Sequence, residues 1–342
     1  MTRTLNVRID VLRRGARFCS LVPVGSPHAV MSDSGRIKSS LSVSVVKDDR
    51  VDWLTDEICP VIIIDGAEYP IGVFLPSTVS DNVSDSTVTD IEAYDRCWRC
   101  DTEKWMPSQL IAEGTAYLDA IEQLLTHCGI SLVIKTPTSS TIGEPRTWDA
   151  GTSYLDIING LLDEINYLPL WFNSNGYAML QPQIIPTASE ITHSLNGNDV
   201  RSLLYPQLTK TQDLYNAPNV FTVICENADK SSILSATAIN DNPVSPLSTV
   251  RRGRRIHSFT KVDNIADQAA LEEYANLLRW ESMGIGETVV ATTALLPGFG
   301  LGDIVGLVYK NVNGVYLSAG WTMELVTGGS MTHTLKRVVY AI

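Results

Sequence analysis

Apolar and polar residues alternate over much of the first hundred positions. The N-terminal segment MTRTLNVRIDVLRRG predicts a first strand, and STVTDIEAYD (86–95) predicts another. In the segment RIKSSLSVSVV (36–46), aliphatic residues alternate with lysine and serine, which is the period of a half-buried strand. The aliphatic positions are Ile37, Leu41, Val43 and Val45.

A hairpin is predicted inside CPVIIIDGAEYPIGVFLP (59–76), where Asp65 and Gly66 separate two apolar runs. Short strands joined by Gly, Pro, Asp and Ser turns are typical of a small barrel or sandwich. The first part of the chain is therefore predicted to be a compact β domain.

The period becomes helical in GTAYLDAIEQLLTHCG (114–129) and GTSYLDIINGLLDEINY (151–167). We expect Thr115 to cap the first helix and Gly129 to end it. The two segments share GT[AS]YLDxIxxLL, which is compatible with a helical repeat. Because β-like segments intervene and there is no third copy, the pattern favours two helices packed on a small sheet in one middle domain.

From about residue 205 the pattern is again that of strands, with one amphipathic helix at about 265–283. Four strand-like segments follow this helix, and NVNG (311–314) and TGGS (327–330) are predicted turns. The sequence thus predicts a mainly β protein with an α/β middle domain. The predicted domains span 1–103, 104–204 and 205–342.

Composition narrows the function classes. The chain has 342 residues, 44% hydrophobic and 19% charged, which is typical of globular proteins. No signal peptide or membrane-spanning run is recognisable, so a protein made in a cytoplasm, with no membrane partner, is expected. The net charge of −12 argues against tightly bound nucleic acid but not against nucleic acid that slides past a surface.

Cys97 and Cys100 form the phrase CWRC, which has the spacing of zinc knuckles and redox motifs. A zinc site needs a second ligand pair, which only Cys59 or His127 could supply by accident of folding. A redox motif should open a helix after a strand, whereas Cys97 is expected to end the β region. We therefore interpret these cysteines as buried thiols.

The segment LLPGFGLGDIVGLVY (295–309) contains Gly298, Gly300 and Gly302. A phosphate-binding loop places such glycines between a strand and a helix N-terminus. Here a further strand follows, and the spacing is GxGxG. The segment is instead predicted to be a turn in which Pro297 sets the bend and Asp303 accepts bonds from turn amides.

Hydrolytic signatures are missing: the sequence has no GxSxG, HExxH or Walker loop. Its five histidines lie in no recognisable catalytic phrase; they are His28, His127, His193, His257 and His333. A glycosidase-like carboxylate pair is an open alternative. Its candidates are Asp149, Asp156, Asp163 and Glu164.

The phrase RRGRR (251–255) concentrates four cations in an acidic chain. Nucleic acid is one possible partner, and an acidic protein partner or neighbouring subunit is favoured, since complementary charge sets register in assemblies. The cations are Arg251, Arg252, Arg254 and Arg255.

Several segments, in order, resemble the tail hub (baseplate hub) proteins of long-tailed bacteriophages, relatives of the hub part of contractile injection machines. The first resembles a hub-like strand followed by an xIDGxxYxxG hairpin, the second contains an AYD triplet, and the last has a P-x-GD turn before a closing hairpin. These segments cover 35–76, 89–100, 219–255 and 269–338.

The resemblance implies two tube-like β-barrels per chain and a homotrimer whose six barrels form a pseudo-sixfold ring. Such a ring would join the tail tube or distal tail protein above to a tip or fibre below, in the virion, with DNA passing through its lumen. It implies no catalytic, cofactor or metal residues, and no lysozyme or peptidase module is expected in this polypeptide. The alternatives are a tail-associated cell-wall hydrolase and a receptor-binding module with Trp148, Trp171 or Trp321 as sugar platforms.

Overall fold

The computed structural model describes residues 4–81, 87–106, 109–184, 188–199, 202–212, 217–225, 234–262, 268–281 and 284–340. Strands account for 49% of the chain and helices for 15%, with large antiparallel sheets. The mainly β prediction is therefore confirmed.

Most predicted elements are present, with shifts of a few residues at their ends. The strands are β1 (Leu5–Arg13), β2 (Ala16–Leu21), β3 (Pro23–Ser32), β4 (Ser39–Val46), β5 (Glu57–Ile64), β6 (Ala67–Pro70), β7 (Phe74–Asp81), β8 (Val88–Asp95), β9 (Val133–Lys135), β10 (Trp171–Phe172), β11 (Ala178–Leu180), β12 (His193–Asn196), β13 (Leu204–Gln212), β14 (Val220–Cys225), β15 (Leu234–Ile239), β16 (His257–Val262), β17 (Gly284–Ala294), β18 (Ile304–Tyr309), β19 (Val312–Glu324) and β20 (Ser330–Tyr340). The helices are α1 (Cys97–Thr102), α2 (Tyr117–His127), α3 (Tyr154–Glu164), α4 (Thr249–Arg252) and α5 (Gln268–Glu281), with a 3₁₀ turn at Ala188–Glu190. The predicted helix positions 265–267 and 282–283, and strand positions 232–233, lie outside the described residues.

One large sheet runs in the order β13-β17-β20-β19-β3-β4-β8-β7-β5-β1-β2, with β18, β12 and β6 paired off this path. Two three-stranded sheets have the orders β10-β11-β9 and β15-β14-β16. Among the described residues no sheet closes into a barrel, so the expected pair of barrels is not confirmed.

The N-terminal strands follow the alternation in the sequence. Along β4, Leu41, Val43 and Val45 are buried and alternate with more exposed serines. At the predicted hairpin between β5 and β6, Asp65 and Gly66 have φ of +49° and +87°. Both residues lie in the left-handed region that two-residue type I′ turns require, which favours Asp-Gly there.

The middle segment buries one face of α2 and one face of α3 in a shared apolar core with β10 and β11 residues. Ser153 caps α3, its hydroxyl accepting the N–H of Asp156 at 3.1 Å. The expectation that Thr115 caps α2 is wrong: Ala116 occupies the N-cap, and the Thr115 hydroxyl donates to the carbonyl of Ala112. Thr115 lies one residue before the N-cap, and its hydroxyl is engaged by Ala112 and not by the first amides of the helix.

Contacts divide the chain into two compact units. Unit 1 comprises Met1–Leu208 with Val290–Leu335, and unit 2 comprises Thr209–Val289 with Lys336–Ile342. In unit 2, α5 covers one face of the β15-β14-β16 sheet with the predicted stripe of Leu271, Tyr274, Ala275 and Leu278. No described helix is long and apolar enough to span a bilayer. The three domain boundaries drawn from the sequence stay a prediction.

Candidate functional site

The glycine-rich segment is a turn that feeds β18, as predicted. Gly298 and Gly302 have φ of +97° and +75°, values that glycine adopts without strain. Oδ2 of Asp303 accepts the N–H of Gly300 at 2.6 Å. The N–H of Gly302 donates to the carbonyl of Ser318 at 2.9 Å.

These bonds decide the phosphate-loop question. A phosphate loop presents unpaired amides to its ligand at a helix N-terminus. Here the amides of Gly300 and Gly302 already have acceptors within the protein, and a strand follows Asp303. A Cβ on Gly300 would lie 2.6 Å from Cη2 of Trp171. The glycines therefore serve close packing and turn geometry.

Two histidines gather around this turn in unit 1. Nε2 of His193 donates to Oδ2 of Asp303 at 3.1 Å, and its ring stacks on Phe299 with centroids 3.8 Å apart. The ring of His333 packs against the same phenylalanine at 4.6 Å. Strand β12 pairs with β18 in parallel, which places His193 beside the start of β18.

His333 is fully buried and neutral. The Thr293 hydroxyl donates to the carbonyl of Ala294 at 2.7 Å, so it must accept from Nε2–H of His333 at 2.9 Å. Nδ1 of His333 has no hydrogen-bond partner. Burial, followed by electrostatic interaction with the nearby His193 ring, lowers the pKa of His333 to about 4.

A cleft of about 350 Å³ lies beside the turn. Its lining includes Asp303, Gly302, Thr136, Gln183, Leu168 and Leu317. The Thr192 hydroxyl on its wall donates to the carbonyl of Ile304 at 2.9 Å. Because Asp303 and Thr192 are bonded to neighbouring backbone, both act in holding β18 and its turn in place.

The cysteine phrase differs from expectation in one respect. Cys97 opens the short helix α1 directly after β8, so the expectation that CWRC does not open a helix is wrong. Asp95, the last residue of β8, accepts the N–H of Cys97 at 2.9 Å, and Arg96 between them is the N-cap of the helix. The burial prediction is confirmed, since Cys97 and Cys100 are fully buried. Among the described residues no group of three or more potential metal ligands occurs.

The carboxylates considered as a glycosidase pair have structural partners or lie in solvent. Asp156 binds the Arg36 guanidinium at 2.8 Å, which holds the pKa of Asp156 below its usual value. Glu164 accepts the Tyr117 hydroxyl at 2.6 Å. Asp149 and Asp163 are exposed. A glycosidase acid needs a raised pKa, which Asp156 does not have.

The arginine phrase is a folded turn at one end of the β15-β14-β16 sheet. Arg251 and Arg252 end α4, whose N-cap Ser248 accepts the N–H of Arg251. The Arg252 guanidinium donates to the carbonyl of Ala217 at 2.7 Å. The other three cations are exposed; they are Arg251, Arg254 and Arg255. They lie on an accessible face of unit 2.

The three tryptophans considered as sugar platforms expose little of their ring surfaces. Trp171 and Trp321 are buried, and Nε1 of Trp321 donates to the carbonyl of Phe299 at 2.9 Å. Trp148 is half-buried and meets Trp105 edge to face with centroids 5.0 Å apart. Burial of Trp171 and Trp321 favours core packing over a sugar platform.

Asp95 and Lys38 are two of the buried charges that were not predicted from the sequence. Asp95 accepts the amides of Ser39 and Cys97, and burial raises its pKa to about 6. Nζ of Lys38 donates to the carbonyls of Asp33 and Gly35, both at 2.7 Å. The period of two in β8 contained the signal for Asp95, since it continues the buried positions Ile91 and Ala93.

Comparison of the whole chain with known proteins gives matches by structure. No protein-family model matches the chain, and no curated protein matches it by sequence. A tail protein from Neisseria meningitidis MC58 superposes with a TM-score of 0.69 at 12% identity, covering 97% of each chain. The 43 kDa tail protein of prophage MuSo2 from Shewanella oneidensis gives 0.64 at 11% identity, covering 98% of each.

A component of the E. coli type VI secretion system gives a TM-score of 0.52 at 9% identity, covering 95% of this chain and 76% of its own. That protein is described as similar in structure to the phage T4 tail proteins gp27 and gp5. The two tail proteins are covered almost completely in both directions, so the arrangement of elements is shared with them along the whole chain, at identities that show the fold alone. The chain therefore has the fold of phage tail and baseplate hub proteins.

Proposed function

We propose that this protein is a structural subunit of a phage tail, the hub of its baseplate or tail tip. It forms a homotrimer that presents a pseudo-sixfold face to the tail tube or distal tail protein and carries a tip or fibre protein below. DNA passes through its lumen during ejection. The protein assembles in the bacterial cytoplasm and functions in the virion.

The observation that carries this proposal is the match over 97% of both chains to a bacterial tail protein with a TM-score of 0.69. A fold alone does not fix function, so the chemistry of the chain must agree with it. Two of the candidate carboxylates are engaged in structural contacts: Asp156 binds Arg36, and Glu164 accepts the Tyr117 hydroxyl. These contacts support the structural role.

Charge supports the channel part of the proposal. The net charge of −12 disfavours adhesion of DNA to the protein surface by like-charge repulsion. The two tube-like barrels per chain are part of the proposal as well. A ring could complete them by joining open sheet edges of neighbouring subunits, since unpaired edges template such pairing.

One such edge is available in unit 2. Strand β16 is the outer strand of β15-β14-β16 among the described residues, and Phe259 on it is 67% exposed. His257 stacks beside Phe259 with ring planes 14° apart. An exposed phenylalanine on an edge strand fits an interface between subunits.

The experiment is a mass measurement by light scattering on the purified chain, followed by electron microscopy of any ring. We expect a trimer with a pseudo-sixfold upper face, and a Phe259→Asp variant that stays monomeric. Leu54→Asp is the matched control, because Leu54 is 96% exposed and lies in unit 1. A chain that remains monomeric at high concentration, alone and with its tube partner, would overturn the proposal.

A further inference from the structure

Another cavity in unit 1 is lined by an excess of positive charge. It measures about 360 Å³ and lies between the β1–β2 hairpin, the start of α1 and the segment after α2. Its charged lining consists of three guanidiniums, from Arg14, Arg96 and Arg99, and one carboxylate, from Glu57. The net charge of this lining is therefore +2, in a chain whose total charge is −12.

Glu57 orders two of these arginines but balances the charge of only one. Its buried carboxylate accepts from Nη2 of Arg96 at 2.7 Å and from Nη2 of Arg99 at 3.0 Å. Nη1 of Arg96 donates to the carbonyl of Gly176 at 2.9 Å, and Nη1 of Arg99 reaches the carbonyl of Gly129 at 3.4 Å. These bonds hold both guanidiniums at fixed positions on the cavity wall.

Arg14 brings the third cation from the hairpin turn. Arg14 and Gly15 form the two-residue turn between Arg13 and Ala16, with φ of +52° and +78°. Asparagine and glycine are the residues that such turns favour, so turn geometry does not require an arginine here. Arg13 binds Asp56 at 2.7 Å, whereas the Arg14 guanidinium has no hydrogen-bond or ion-pair partner among the described residues.

We propose that this cavity binds a dianionic oxyanion of the phosphate type. Arginine presents its N–H groups in a planar fork that matches the oxygens of phosphate and carboxylate. A phosphate group carries about −1.5 to −2 charges at pH 7 and so balances the lining, whereas a single carboxylate leaves it positive. The guanidinium of Arg14 and Nε of Arg99 have no acceptor among the described residues and supply the donors, and Ser131 adds a hydroxyl to the same lining.

A bound anion would connect parts of unit 1 that are distant in sequence, the β1–β2 hairpin at Arg14 and α1 at Arg99. The unfolded chain does not hold these cations together, so phosphate should stabilise the folded protein by mass action. The site lies within one chain, and its test is therefore independent of the proposed tail function.

The test titrates the purified full-length protein with inorganic phosphate at constant ionic strength, by isothermal titration calorimetry and by melting temperature. We expect one phosphate per chain and a melting temperature that rises with phosphate but not with sodium chloride of equal ionic strength. Arg14→Asn keeps a residue suited to positive φ, and Arg99→Gln leaves the pair of Arg96 with Glu57 in place. Each variant should weaken phosphate binding roughly tenfold or more, because each removes a charged donor.

Arg17→Gln is the matched control, since Arg17 lies on β2 of the same hairpin, is 54% exposed and does not line the cavity. It should bind phosphate as the wild-type protein does. Tetra-aspartate and oligothymidylate test the two other sources of anionic groups, a protein carboxylate and a nucleic-acid diester, and neither should displace phosphate.

Displacement of phosphate by either competitor would overturn the proposal, and so would an equal loss of binding in all three variants. A wild-type protein that shows neither binding heat nor a rise in melting temperature with phosphate would also overturn it. This wild-type titration decides the matter even where a variant fails to fold.

Discussion

The carboxylate of Asp303 accepts the backbone N–H of Gly300 at 2.6 Å. This bond joins Asp303, the residue just before β18, to Gly300 in the middle of the turn. Between them lies Gly302, at φ +75°. The turn therefore requires glycine's positive φ at position 302 and a hydrogen-bond acceptor at position 303. Both residues serve the turn and are not free to bind a ligand.

Replacing Gly302 with valine should destabilise unit 1 by roughly 2–4 kcal/mol, because a β-branched residue is strained in the left-handed region. The new Cβ would also lie 2.8 Å from Cδ1 of Leu168. Denaturant unfolding measures the loss. Gly143→Val is the control, since a Cβ at Gly143 meets nothing within 4 Å. Equal stability of the two variants would show that the turn tolerates other geometries.

Local sequence patterns predict many of the strands and helices of this fold. The period of two located β4 and β8, Asp65-Gly66 located a hairpin, and the apolar stripes located α2, α3 and α5. What the pattern could not give is long-range pairing, such as β3 beside β19, because register between distant strands depends on tertiary packing. Contacts between side chains that are distant in sequence also depend on tertiary packing, and local patterns do not predict them.

The candidate site shows this limit clearly. That Asp303 would hold the turn was predictable from its place after three glycines. That His193 would reach Asp303 from 110 positions away was not.

His333 should make the protein less stable in acid. Its pKa is about 4 in the folded protein against 6.5 when exposed, so the unfolded chain binds the proton more tightly. Stability from this residue is complete above pH 6.5 and is lost as pH falls towards 4, by up to roughly 3 kcal/mol. His333→Gln, which can keep the donor to Thr293, should flatten this part of the stability profile. An unchanged slope would contradict the assignment.

The contribution of Asp95 to stability should depend on pH in the opposite direction to that of His333. Burial raises its pKa from 3.8 to about 6, so the folded protein holds this proton more tightly than the unfolded chain. Its contribution is greatest below pH 3.8 and falls as pH rises through 6, by up to roughly 3 kcal/mol.

Urea unfolding of wild type and Asp95→Asn at several pH values isolates this contribution. The difference between the two proteins should vary between pH 4 and 6 and be constant above 7. Surface acids such as Asp48 and Glu68, whose pKa values are lowered by Arg50 and Arg8, cancel in the difference because both proteins contain them. A difference that is flat from pH 4 to 7 would place the Asp95 pKa near its ordinary value.

Glu287 in unit 2 provides the last prediction. Its buried carboxylate binds the guanidinium of Arg337 at 2.8 Å and Nζ of Lys210 at 3.2 Å, and it accepts from the Gln212 amide at 2.8 Å. Glu287→Gln removes the negative charge and leaves two cations facing a neutral amide. Breaking a buried pair in this way costs about 3–5 kcal/mol.

Amide hydrogen exchange can resolve this loss within unit 2, and we expect protection of β14 and β15 to fall accordingly. Glu68→Gln is the matched control: it also removes a carboxylate bound to an arginine, at 2.7 Å, but Glu68 is half exposed. Exposed pairs contribute about 0–1 kcal/mol, so the control should leave exchange almost unchanged. If the two variants changed amide exchange equally, burial would not be the reason for the large contribution of the Glu287 ion pairs to stability.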